Sequence, residues 1–300
     1  MKAYVTGASG FVGAHVAREL AERGVEVSAE RVDLRDAPAI VRAVQGNDAV
    51  FHVAALYSFE ADDADMEAVN VQGTQNVIDA CLGAGVRRLV HTSTAGTCGP
   101  VAGREATELD SPPDWELAVA YKRTKLEAER LVLAAADQGL DAVVVNPTAP
   151  VGDGDHKPTP TGRMIEGVAA GQIRGYVGTT GLNIVGVRDV ARGHVLAYEH
   201  GVRGERYLLG GVNLSLEDLF AAIARLAGRP RPRLRVPYLA ARLAASVGLA
   251  NEDEVRLARL PMYFSSQKAQ DRLDYRAGPV ENALGRAVRA AIQGREKQTA

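Results

Sequence analysis

A run of glycines near the N-terminus restricts this chain more than any other feature in it. Lys2-Ala3-Tyr4-Val5-Thr6 reads as a buried first strand, and Gly7-Ala8-Ser9-Gly10-Phe11-Val12-Gly13 turns it into a helical pattern that ends near Gly24. The spacing is Gly-x-x-Gly-x-x-Gly. Small residues at those positions let the backbone approach a pyrophosphate, whose charge then meets the open N–H groups of a helix N-terminus. The turn is therefore expected to bind a dinucleotide.

The remainder of the first half repeats the alternation. Asp48-Ala49-Val50-Phe51-His52-Val53-Ala54-Ala55, Arg88-Leu89-Val90-His91-Thr92 and Ala142-Val143-Val144-Val145-Asn146 read as strands. Helical spacing runs from about Asp65 to Leu82 and from Ala120 to about Ala136. Strands apolar enough to be covered on both faces, alternating with helices, predict an α/β fold with a doubly wound parallel sheet. After Pro147 the texture changes to Gly, Pro and Thr, through Gly152, Gly154, Pro158, Pro160 and Gly162, which predicts a long loop. Short strands at Asn183–Val187 and Arg206–Leu209 are expected to return to the sheet. The predicted division places residues 1–150 and 182–212 in a dinucleotide-binding domain, and 151–181 and 213–300 in a smaller, mostly helical substrate-binding cap. Within the cap, the arginines from Arg229 to Arg235 read as a solvated edge strand between prolines, with a site for a substrate phosphate the alternative. The apolar run from Tyr238 to Ala250 reads as a helix of the cap's core, with membrane contact the alternative.

Composition narrows the partners. Thirty-five basic and 37 acidic residues are well mixed, for a net charge of -2, without the basic stripe that a phosphate-backbone binder needs. Nucleic acid is not expected. Cys81 and Cys98 stand in no metal or redox spacing. No apolar run approaches the ~18 residues of a membrane span and no basic-apolar leader opens the chain, so a cytoplasmic location is expected.

The chemistry is read from Ala120-Tyr121-Lys122-Arg123-Thr124-Lys125. Positions four apart share a helix face, so the Tyr121 phenol and the Lys125 ammonium point the same way. A free tyrosine titrates near ~10, and bringing it to neutrality costs about 4 kcal/mol. A cation in a partly dry site supplies part of that, and an oxidised nicotinamide the rest.

With Gly7, Gly10 and Gly13 and the Tyr121/Lys125 pair both present, the sequence resembles the extended short-chain dehydrogenase/reductases, the NAD-dependent epimerase/dehydratase family. The likeness covers nearly the whole chain and implies a Rossmann fold. Asp33-Leu34 is similar to the family's adenine-contacting pair, and His52-Val53-Ala54-Ala55 to its nucleotide-lining strand end. Asn70-Val71-Gln72-Gly73-Thr74 resembles its helix-bending asparagine motif, and Thr92-Ser93-Thr94 its Ser/Thr motif, with Thr94 at the catalytic hydroxyl. Asn146-Pro147-Thr148-Ala149-Pro150-Val151-Gly152, Lys157–Gly162 and Pro261–Ser266 look like the hopanoid-associated sugar epimerase branch, itself similar to the dihydroflavonol reductases. The resemblance implies Thr94, Tyr121, Lys125 and Asn70 as catalytic residues. It implies Gly7, Gly10, Phe11, Val12, Gly13, Asp33, Leu34, Ala54, Ala55, Lys125 and Pro147 as the site of NAD or NADP, with no metal. It also implies a homodimer built from the helices after Asp65 and around Tyr121. His52 reads as a hydrogen-bonded core histidine, and Asn70 as structural first and catalytic at one remove.

One stretch departs from the pattern. Between Gly24 and Asp33 the family fits the end of strand two, a crossover and most of strand three, and a parallel crossover needs at least ~10 residues. Either Val25-Glu26-Val27 and Glu30-Arg31-Val32 are stubs of both strands, or one strand is missing. Cofactor preference is set by an acid or a base in this region, and Glu30 and Arg31 argue oppositely. Two absences bear on the reaction. Ala95-Gly96 follows Thr94 where a 4,6-dehydratase carries an Asp-Glu pair, and Leu182–Val187 lacks the arginine with which nucleotide-sugar epimerases clamp a diphosphate. The expected activity is hydride transfer between a nicotinamide and a fairly apolar secondary alcohol or carbonyl compound. Sugar epimerisation is the alternative, and a non-catalytic dinucleotide sensor a further one.

Overall fold

The structure is a computed structural model that describes residues 1–57 and 62–299. Its first half runs β1 (Lys2–Thr6), α1 (Phe11–Glu22), β2 (Glu26–Ser28), α2 (Ala37–Val44), β3 (Ala49–His52) and α3 (Asp63–Met66). A π-helical turn (Glu67–Gln72) follows, then α4 (Gly73–Ala84), β4 (Arg88–Thr92), a 3-10 turn (Ala95–Thr97), α5 (Ala120–Asp137) and β5 (Ala142–Pro147). The second half runs β6 (Ala149–Val151), α6 (Pro160–Ala169), β7 (Gly175–Val177), β8 (Gly181–Gly186), α7 (Val187–His200) and β9 (Arg206–Leu209). It closes with β10 (Val212–Ser215), α8 (Leu216–Leu226), β11 (Leu234–Val236), α9 (Tyr238–Ser246), α10 (Glu252–Leu257), α11 (Gln267–Leu273) and α12 (Val280–Thr299).

The main sheet has six parallel strands in the order β2-β1-β3-β4-β5-β9. Its strands are apolar on both faces because both faces are covered. Ala3, Val5, Phe51, Val90, Val143 and Val145 pack with residues of α1, α7 and α11, while Tyr4, Val50, Leu89 and Val144 pack with those of α2, α4 and α5. Each fully buried Val, Leu or Phe contributes about 1.5–3 kcal/mol, so these two layers hold the sheet together. From β1 the chain goes to β2 on one side and returns to β3 on the other. That reversal leaves a crevice beyond the carboxyl ends of β1 and β3, the place where open α/β sheets bind ligands.

The shortened stretch resolves to a missing strand. Only β2 joins the sheet there, as its edge, and residues 29–36 run irregularly to Asp36, whose side chain caps α2 by accepting from the Ala39 N–H at 3.0 Å. Too few residues lie between Ser28 and Val32 to carry a parallel crossover.

Two further expectations are corrected in the second half. Of the strands expected to return to the main sheet, only β9 does so; β8 pairs antiparallel with β10 and parallel with β6 in a separate three-stranded sheet. The expected loop after Pro147 is also shorter, since β6 precedes it and α6 begins at Pro160, with the Thr159 hydroxyl accepting from the Gly162 N–H at 3.0 Å. The arginine-rich edge strand is found as expected, β11 pairing β7 in a two-stranded ribbon. The run from Tyr238 is helical, yet it is not core: Leu239 and Leu243 are 75% and 69% exposed. Among the described residues no helix is long and apolar enough to cross a membrane.

Candidate active site

The glycine turn is as tight as its sequence requires. Gly7 has φ of +68°, and a Cβ there would stand 2.9 Å from the Ala54 Cα; a Cβ on Gly13 would stand 2.1 Å from the Gly7 carbonyl oxygen. Neither position admits a side chain. Gly10 precedes the first residue of α1, no side chain among the described residues caps that end, and no acid lies in its first turn. The first N–H groups of α1 thus face the crevice with the helix dipole behind them, an arrangement that favours a diphosphate.

The crevice continues into a cleft of about 510 Å³ with mainly apolar walls. Gly7, Gly10, Phe11, Val12 and Gly13 line one end, Ala54 and Ala55 the β3 side, and Pro147 the end of β5. Thr94, Tyr121 and Lys125 line the same cleft. These residues come from the carboxyl end of a strand, from the turn that follows it, or from the first turns of α1 and α5. Asn70, Asp33 and Leu34 lie outside the lining.

The fold explains these three. Asn70 sits in the π-helical turn, where its amide donates to the Leu56 carbonyl at 3.0 Å and to the Thr124 hydroxyl at 3.1 Å, and its oxygen accepts from the Leu56 N–H at 2.7 Å. It ties the chain after β3 to α5. Leu34 is buried against Gly73, where a Cβ would come within 2.6 Å of it. Asp33 is half exposed and held by Arg35 at 2.7 Å, which draws its carboxyl down to about 2. A ribose hydroxyl would have to share that carboxylate.

On α5, the Lys125 ammonium donates to the Thr92 carbonyl at 2.6 Å. Burial lowers Lys125 to about 8, with Glu129 pulling the other way. Burial also raises the Tyr121 phenol well above the ordinary tyrosine value. The expected lowering of Tyr121 by Lys125 is therefore not found: the ammonium is turned to a backbone carbonyl and is itself destabilised by desolvation. Thr94 opens the 3-10 turn, its hydroxyl accepting from the Gly96 N–H at 3.2 Å.

His52 is the core histidine its position suggested. The Thr74 hydroxyl gives its proton to the Asn70 carbonyl at 2.6 Å, so it must accept from His52 Nε2–H at 3.0 Å, which leaves Nδ1 to accept from the Thr6 hydroxyl at 2.9 Å. Burial holds this imidazole neutral, lowered to about 3.

Three lining residues were not anticipated from sequence. Tyr57 stacks on Tyr121 with ring centroids 4.1 Å apart and planes at 30°. Lys122, beside Tyr121, is buried in an ion pair with Glu116 and lies 3.8 Å from the Met262 sulfur. Desolvation lowers the Lys122 ammonium and raises the Glu116 carboxyl, each partner opposing the other's shift. Glu254, from α10, reaches the cleft from the far side and pairs with Arg163 of α6 at 3.3 Å. Only the burial of α5 could have flagged Lys122, and nothing in the sequence placed Tyr57 or Glu254.

The sequence model of the NAD dependent epimerase/dehydratase family matches residues 3–210. The chain belongs to this family. It is an enzyme family, and its nicotinamide dinucleotide, NAD or NADP, fits the glycine cradle and the uncapped N-terminus of α1 described above. A relative from Synechocystis sp., provisionally named dihydroflavonol 4-reductase, is 36% identical over 95% of this chain and 93% of its own. The 2-alkyl-3-oxoalkanoate reductase of Stenotrophomonas maltophilia is 33% identical over 77% of each chain. Among solved structures, gox2253 superposes with a TM-score of 0.86 at 37% identity, over 97% of this chain and 98% of that one.

Proposed function

We propose that this family member is a reductase or dehydrogenase acting on a fairly apolar secondary alcohol or carbonyl compound. The observation that carries the reading is the convergence of Thr94, Tyr121 and Lys125 on one mainly apolar cleft that is continuous with the glycine cradle. The bound nicotinamide supplies the hydride acceptor or donor. Tyr121 exchanges the proton with the substrate oxygen, and its raised pKa suits it to hold that proton until a carbonyl is being reduced. Thr94 donates a hydrogen bond to the same oxygen. Lys125 carries positive charge into the cleft and braces α5 against the end of β4 through the Thr92 carbonyl. Asn70 acts at one remove, as a positioning residue on Thr124.

Two of the relatives are named as reductases, one of them for a 3-oxo compound, and the apolar walls agree with substrates of that kind. We further propose that residues 1–150 and 182–212 hold the cofactor while 151–181 and 213–300 cover the substrate, and that two copies pair through α4 and α5.

The test is a pair of incubations. With NADPH or NADH and a panel of aliphatic and aromatic ketones, including 3-oxo esters, absorbance at the reduced-nicotinamide band should fall with turnover. With NAD and UDP-sugars no C4-inverted product should form. Clean epimerisation without net cofactor consumption overturns the reading in favour of the epimerase alternative, and turnover in neither leaves the sensor.

A further inference from the structure

Helix α9 is built inside out. Its inward side is made of Ala241, 8% exposed, with Tyr238, Ala244 and Ala245 half-buried, while Ala240 and Ser246 are exposed. Its leucines share the outer face with Arg242, and the apolar stripe continues past the helix through Val247 (63% exposed) and Leu249 (80%). Leu234 of β11, just upstream, is 64% exposed. Proteins that remain in water rarely leave so many large apolar side chains together on the surface.

Charge accompanies the stripe. From Arg229 to Ala250 there are five arginines and no acidic residue, in a chain whose net charge is -2. All five are exposed, and none appears in an ion pair among the described residues; Arg235 donates only to the Gly178 carbonyl, at 2.9 Å. The acids that follow are engaged elsewhere, Glu252 with Arg256 at 2.9 Å and Glu254 with Arg163 at 3.3 Å. Uncommitted cations beside an outward apolar stripe have the pattern of a segment that lies in the headgroup plane of a membrane. A second copy of the same surface would bring like charges together.

We propose that β11 and α9 form an interfacial docking surface for an anionic lipid bilayer, with Leu239, Leu243, Val247 and Leu249 entering the acyl boundary and the arginines meeting the headgroups. Helix α9 packs on α10, and Glu254, Leu257 and Ala258 of that region wall the cleft. Docking places the cleft about one helix diameter, ~10 Å, from the lipid. The docking itself does not rest on the proposed reaction, although an apolar substrate gives it a use.

The full chain is sedimented with vesicles of phosphatidylcholine alone and of phosphatidylcholine mixed with phosphatidylserine, at low and high salt. Binding should be at least about ten-fold stronger to the anionic vesicles and should weaken with salt. The double variant Leu239→Asn, Leu243→Asn should lose it, and Arg231→Gln, Arg233→Gln should weaken it roughly ten-fold, both keeping wild-type turnover of a water-soluble substrate. Absence of binding to anionic vesicles overturns the proposal, as does binding undiminished in the leucine variant. A dimer in vesicle-free solution that the leucine variant converts to monomer overturns it as well, by assigning the face to a second copy.

Discussion

The Lys125 ammonium donates to the carbonyl of Thr92, 2.6 Å away, and so joins the helix that carries Tyr121 to the strand that leads into Thr94. One lysine thus serves two purposes: it brings charge to the cleft and fixes the relative position of the two groups proposed to act on the substrate oxygen. A substitution at Lys125 should accordingly be felt in geometry as well as in electrostatics.

Lys125→Met is expected to reduce carbonyl turnover by roughly 100-fold or more, and to weaken cofactor binding too. The pH dependence follows from its lowered pKa. Lys125 is charged below about 8 and loses its proton as the pH rises through that value, so reduction should decline on the alkaline side. The measurement is a kcat/KM profile from pH 6 to pH 10. Lys125→Arg, which stays charged throughout, should remove that alkaline limb; a limb unchanged in Lys125→Arg assigns it to another group.

Acid should destabilise the fold through its buried histidines. His52 and His194 are lowered by burial to about 3 and about 4, and His91 lies well below its ordinary value. Between those values and about 6.5 the unfolded chain binds protons that the native state refuses, so stability rises with pH there and falls as pH drops. Each histidine contributes about 1.4 kcal/mol per pH unit at most. Urea titrations at pH 7 and pH 5 should show the loss. Among the described residues His91 has no hydrogen-bond partner at either ring nitrogen, so His91→Leu should reduce this dependence without lowering stability at pH 7.

The missing strand should be felt by the cofactor. With β2 at the sheet edge and Asp33 held by Arg35, the adenosine ribose has few partners, and calorimetry should give a dissociation constant above about 1 μM for both NAD and NADP. Cofactor retained through purification contradicts this. Gly13→Val should abolish the heat of binding outright, because its side chain would occupy the space of the Gly7 carbonyl.

The parts of the fold that were legible in the sequence are those set by local pattern. The strands Lys2–Thr6, Arg88–Thr92 and Ala142–Pro147 declare themselves by being apolar on both faces, and the Gly7 turn by steric demands that only glycine meets. The parts that were not legible depend on distant partners. Whether β8 joins the main sheet or pairs β10 is decided by chain far from it, and the leucines of α9 look the same in sequence whether they meet a core or solvent. Tyr121, Lys125 and Thr94, which spacing and resemblance single out, line one cleft. The pairing of Lys122 is not legible, since its counter-charge, Glu116, sits six residues away and is brought to it by a turn with no signature. Sequence also does not reveal that Arg35 folds back on Asp33.

The central claim is that the Tyr121 hydroxyl moves the proton in a reaction the cofactor otherwise carries. Tyr121→Phe keeps the ring that stacks on Tyr57 and removes only that hydroxyl. The deciding measurement is kcat for reduction of the best ketone substrate, taken beside the calorimetric dissociation constant for NADPH, in wild type and Tyr121→Phe. The account predicts a loss of at least about 100-fold in kcat with cofactor affinity unchanged within about two-fold. Retention of more than about a tenth of wild-type turnover, with binding intact, would contradict it.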